Sequence, residues 1–128
     1  MKHKLFIFIG LIALSISCGK QSIAKKFADN FFECRKTKDY KCIEKLLSDN
    51  FVKQTSVDTF LLQLKNIDNS LGRLINYKLT NFEQRTVNKV MYYIFTYNLD
   101  FQYNKTTDKL VFIKEKDNFK LDYYSTNW

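Results

Sequence analysis

The chain has 128 residues, one domain's worth, with a formal charge of +8 and 45% hydrophobic residues, a balance that excludes wholesale disorder. The absence of proline and a total of three glycines exclude collagen-like, linker-rich and glycine-loop phosphate-binding architectures. Aromatic residues are dense, at 16% of the chain.

The first segment reads as an address. Lys2, His3 and Lys4 form a short positive region, and Leu5 to Ile16 is an apolar run well short of the ~20 residues a spanning helix needs. Small residues in Ser15-Ile16-Ser17 then precede Cys18. Leu14-Ser15-Ile16-Ser17-Cys18 resembles the lipobox of bacterial lipoproteins, with Ser15 where that pattern usually carries leucine. The resemblance implies a signal peptide over 1–17, a diacylglycerol thioether and palmitate-type acylation on Cys18, and a tether over 18–21. It implies a protein anchored to a membrane of the bacterial cell envelope, on its periplasmic or surface face. An ordinary signal peptide with a chance cysteine, or an uncleaved anchor, is the competing reading.

Cleavage after Ser17 would remove Lys2 and Lys4, lowering the formal charge from +8 to +6, and would also remove His3, the sole histidine. A mature chain without histidine lacks the side chain most used for acid–base catalysis and metal binding near neutral pH. With Cys18 lipidated, Cys34 and Cys42 remain in an oxidising compartment, either as a disulfide or as two separate buried thiols.

In chain order, residues 22–36 place Ile23, Ala24, Phe27, Ala28 and Phe31 on one helical stripe behind Ser22 as N-cap. Asp39 caps a second short helix carrying Tyr40, Ile43, Leu46 and Leu47. Thr55 and Asp58 fit a capping box for a third, with Val57, Phe60, Leu61, Leu64, Ile67 and Leu71 at helical spacing and Gly72 closing it. The period then changes. Residues 73–84, 88–103, 109–116 and 118–125 read as strands, with Asn104 to Asp108 as a polar break. Met91, Tyr93, Phe95, Tyr97, Leu99 and Phe101 share one face of the second strand, and Phe119, Leu121 and Tyr123 share one face of the last. Helices followed by strands predict an α+β fold.

The segments Phe31–Asn50, Phe60–Leu79 and Leu110–Tyr124 resemble the nuclear transport factor 2-like (cystatin-like) superfamily, in particular its small bacterial lipoproteins of unknown function. The resemblance implies three N-terminal helices packed on a curved antiparallel sheet of about four strands. It also implies that this domain, over residues 22–128, curls its sheet into a cone with a pocket at its open end.

Enzymes of that superfamily set Asp, His or Tyr inside the cone. Here Asp100 and Asp122 fall opposite the aromatic phase and are expected to face water, no activity is expected to depend on them or on Glu115, and no catalytic residue is assigned. Two cysteines without histidine make a poor metal site, and no cofactor is expected. Tyr77, Tyr93, Tyr97 and Tyr123 either line a pocket for a small amphipathic ligand or serve as plain core. The 18 lysines and three arginines are scattered among acids, and export argues against nucleic acid. Lys20, Lys25, Lys26, Arg35, Lys36 and Lys38 concentrate near the anchor, where they either face anionic headgroups or form a solvated helix face. The expected function is a lipid-anchored, non-enzymatic module binding a small ligand or an envelope protein. The alternatives are an enzyme acting on a small hydrophobic substrate in the cone, or an immunity-type lipoprotein that binds another protein.

Overall fold

A computed structural model describes residues 21–128. The leader over 1–17 and the candidate lipidation site Cys18 lie outside these residues. Gln21 is already helical, so Ser22 stands inside the first helix and is not its cap. This helix, α1, covers residues 21–36 of the described chain and buries Ala24, Ala28, Phe31, Phe32 and Arg35. Ile23, expected on that stripe, is 51% exposed.

Three further helices follow, α2 (Tyr40–Glu44), α3 (Asp49–Gln54) and α4 (Val57–Leu71). That is one more than the sequence pattern predicts. Asp39 caps α2 as expected, accepting from the Cys42 N–H at 3.1 Å. The helix then stops at Glu44, because the chain passes the exposed edge of the last strand. There the Leu121 N–H donates to Leu46 O at 2.6 Å, and the Ser48 N–H donates to Leu121 O at 2.9 Å. An edge strand's unpaired backbone groups need partners, and this connection supplies them. Ser48 Oγ then accepts from the Phe51 N–H at 3.0 Å and starts α3. Thr55 closes α3 instead of opening α4, whose N-cap is Ser56, accepting from the Thr59 N–H at 3.3 Å.

Gly72 ends α4 at φ 85° and ψ −161°, a region open essentially to glycine alone. A Cβ there would stand 2.7 Å from Gln102 Cβ and 2.8 Å from the Tyr103 ring.

Strands β1 (Leu74–Val87), β2 (Val90–Phe101), β3 (Lys105–Glu115) and β4 (Asn118–Asn127) form an antiparallel meander in the order β1-β2-β3-β4. Residues 88 and 89, expected within a strand, are instead a two-residue hairpin turn in which Asn88 and Lys89 both have positive φ. The expected polar break also shrinks. β3 begins at Lys105, so Thr106 and Asp108 are strand residues. The helices pack on one face of the sheet, around Phe31, Phe32, Leu64, Phe95, Leu110 and Phe112. The architecture is α+β.

Candidate functional site

The sequence places three charges on core-facing positions, and the fold buries all three together. Arg35 continues the Ala24–Ala28–Phe31 stripe of α1, Asp68 continues the Phe60–Leu64 stripe of α4, and Asp108 continues the Leu110–Phe112 phase of β3. They are 2%, 6% and 0% exposed. Arg35 Nη2 donates to Asp68 Oδ1 at 2.7 Å and Nη1 donates to Asp108 Oδ2 at 3.1 Å. The guanidinium also lies over the Phe101 ring, 5.4 Å from its centroid.

Two carboxylates against one guanidinium leave a formal excess of one negative charge, and hydroxyl donors surround it. Tyr40 donates to Asp68 Oδ2 at 2.7 Å. Asp108 Oδ1 accepts from Thr106 at 2.8 Å and Thr126 at 2.6 Å, while Oδ2 accepts from Tyr124 as well as Arg35. Asp108 thus accepts four hydrogen bonds, the capacity of a carboxylate. Burial alone lowers the affinity of Arg35 for its proton, but Tyr124, Asp68 and Asp108 more than restore it and hold the guanidinium charged. Burial, followed by the Asp68 hydrogen bond, pushes the Tyr40 phenol above its ordinary range. Burial and Asp108 do the same for Tyr124 against the opposing effect of Arg35. Both phenols therefore remain donors at neutral pH.

The four tyrosines predicted as a group separate. Tyr77 and Tyr97 come together, ring centroids 6.2 Å apart, and each donates to an acid on α1. Tyr77 donates to Glu33 at 2.7 Å and Tyr97 to Asp29 at 2.8 Å. Burial first, then those acids, raises both phenols above their ordinary range. Phe32 fills the space between them, at 5.1 Å from Tyr77 and 4.7 Å from Tyr97. Tyr93 is core, edge-on to Phe119 at 5.0 Å. Tyr123 is on the opposite face and 52% exposed. The cause is a bulge: Phe112 pairs with Leu121 and Val111 with Tyr123, so Asp122 is extra and the alternation of β4 reverses. Tyr124, expected outside, therefore points into the cluster. Asp122 itself accepts from Ser48 Oγ at 2.8 Å.

Arg35, grouped by sequence with the exposed basic residues near the anchor, is the reverse of that expectation. Cys34 and Cys42 are joined as a disulfide between α1 and α2, with Cα atoms 5.9 Å apart, within bridging range. Among the described residues no group of three His, Cys, Asp or Glu side chains could hold a metal ion, and no helix is long and apolar enough to cross a membrane.

The outer sheet face carries a different chemistry. Glu83, Ile94, Val111 and Tyr123 pair across all four strands, and Arg85, Tyr92, Ile113 and Lys120 form the next row. Together they make an apolar strip of Ile94, Val111, Tyr92, Ile113 and Tyr123 flanked by charges. Farther along the same face lies an open groove of about 540 Å³ bordered by Trp128.

An α+β domain with a closed polar cluster beneath an open sheet face is the class these features define. No family model and no curated protein matches the chain. It is similar in structure to Bdellovibrio bacteriovorus Bd1075, with a TM-score of 0.58 at 10% identity over 80% of this chain and 38% of that one. At that identity the likeness shows the fold alone, and this chain spans well under half the length of that neighbour.

Proposed function

We propose that this chain is a lipid-anchored, non-enzymatic binding module of the bacterial envelope, with a nuclear transport factor 2-like cone, and that it engages a partner protein through its outer sheet face. The observation that carries this reading is the contrast between the faces. The inner polar groups are mostly paired with one another, with Asp108 fully hydrogen-bonded, whereas the outer strip presents an exposed Tyr123 beside half-buried Ile94 and Ile113 with no described helix packed on it. Exposed apolar strips rimmed by charge are characteristic of protein contact surfaces. The lipobox resemblance at Leu14–Cys18 supports the anchor and the envelope location.

The enzyme reading has one observation in its favour: a cleft of about 160 Å³ beside Phe60, Ile67 and Thr126 reaches Tyr124. Against it, Asp108 has no free lone pair with which to take a substrate proton.

The test is a photo-crosslinking residue at position 123, with position 53 on the helical side as control, in cells carrying the full chain. A discrete adduct from position 123, lost on Ile94→Lys, supports the reading. No adduct, or the same adduct from both positions, refutes it.

A further inference from the structure

The groove beside the apolar strip has the opposite character. Its floor is two cross-strand rows, one from Asn76 to Asp100 and the other from Lys78 through Asn98 to Asn127. Its wall is Trp128, 61% exposed, bordering a surface that is polar apart from Leu99. We propose that this groove is a saccharide site and that it takes an acidic pyranose oligosaccharide.

Three features carry the assignment. First, most of the floor groups are free to bind. Among the described residues the side chains of Asn76, Lys78 and Asn127 make no hydrogen bond, and Asn98 only accepts, from Thr107 at 3.2 Å, leaving its amide donors free. Amides and a carboxylate match neighbouring ring hydroxyls because each offers paired donors or acceptors. Second, these groups stand on strands about 4.8 Å apart, so they form a regular and rigid array. An extended chain of rings can lie across such an array. Third, the exposed indole offers a flat apolar plate for the C–H face of a ring, next to the polar floor that would hold its hydroxyls.

Charge narrows the ligand further. Lys78 is unpaired among the described residues, and Lys105 is held only loosely, 3.9 Å from Asp100. These two cations suit a carboxylate on the sugar. Asp100 in the same floor accepts from hydroxyls and offsets one of the two cations, leaving a formal charge of +1 that suits a single carboxylate and not a polyphosphate chain, which disfavours a nucleotide. A floor of amides and charges also disfavours a lipid or an apolar peptide.

Trp128 is the only tryptophan in the chain, so its fluorescence reports directly on the groove. The full chain in detergent would be titrated with N-acetylglucosaminyl-N-acetylmuramic acid, with the neutral di-N-acetylchitobiose, and with ATP. The expected result is a saturable shift of Trp128 emission with the acidic disaccharide, about tenfold weaker for the neutral one and for Lys78→Ala, as loss of one charged hydrogen bond implies. Asn98→Ala should weaken it similarly, while Tyr123→Ser on the apolar strip leaves it unchanged. No shift at millimolar disaccharide, an equal response to the neutral sugar, or a stronger response to ATP would overturn the proposal. The Tyr123→Ser arm keeps this result separate from the partner-protein reading, which the crosslinking experiment tests on its own.

Discussion

Arg35 Nη1 lies 3.1 Å from Asp108 Oδ2, joining α1 to β3 across 73 residues of chain. With Asp68 on α4 as the second partner, one guanidinium ties two helices to the sheet. Desolvating charges is costly, and the arrangement holds because nearly every polar atom has a partner; Arg35 Nε alone lacks one among the described residues. Removing the cation should therefore cost more than its contacts suggest. Arg35→Met leaves two buried carboxylates facing each other and is expected to destabilise by about 3–5 kcal/mol in urea unfolding. Replacing Arg35, Asp68 and Asp108 together with apolar residues of similar volume should recover most of that loss. Equal destabilisation by the single and triple variants would contradict the account.

Alkali should loosen the fold through its buried and half-buried phenols. Tyr97, Tyr124, Tyr40 and Tyr77 are all raised above their ordinary value of 10.0, by burial first and then by acidic neighbours. A raised phenol stabilises the fold fully below its unfolded value and loses that contribution as pH climbs above it. The melting temperature should fall steeply above about pH 10, and less steeply in Tyr97→Phe. A melting temperature that stays level to about pH 11.5 would show that these phenols are not held neutral by the fold.

The Cys34–Cys42 bridge closes a short loop, with a sequence separation of 8. Its removal is expected to cost about 2.5 kcal/mol by the chain-entropy estimate. Alkylation of denatured, unreduced protein from the envelope should modify neither cysteine. Two reactive thiols in such material would mean that the pair is reduced in the cell.

The anchor is tested at Cys18. Cys18→Ser should release the mature domain from membranes and abolish incorporation of labelled fatty acid, since stable anchoring needs more than one acyl chain. Membrane retention of Cys18→Ser, with no label in the wild type, would contradict the lipobox reading.

The aromatic alternation of β2 and the helical spacing from Phe60 to Leu71 made the α+β order legible, because burial repeats there at the period of each element. The extra helix was hidden because it depends on Leu121, some 75 residues away in sequence, capturing the Leu46–Ser48 backbone. Tyr123 and Tyr124 exchanged faces for a similar reason, since the bulge at Asp122 is set by pairing with β3 and not by local pattern. The buried cluster was within reach. Arg35, Asp68 and Asp108 each sit in phase with apolar neighbours, and a charge at such a position signals a partner inside. Reading Arg35 by its lysine neighbours, and Asp108 as part of a polar break, concealed it.

Closure of the Arg35 cluster is measured most directly by the exchange of the Arg35 guanidinium protons with water. In ¹⁵N-resolved NMR spectra of the folded chain, the Arg35 side-chain N–H signals should persist and exchange orders of magnitude more slowly than those of exposed Arg85, as a sealed, charge-paired group requires. Exchange of Arg35 as fast as that of Arg85 would mean that water reaches the cluster, and the assignment of function to the outer face would fall with it.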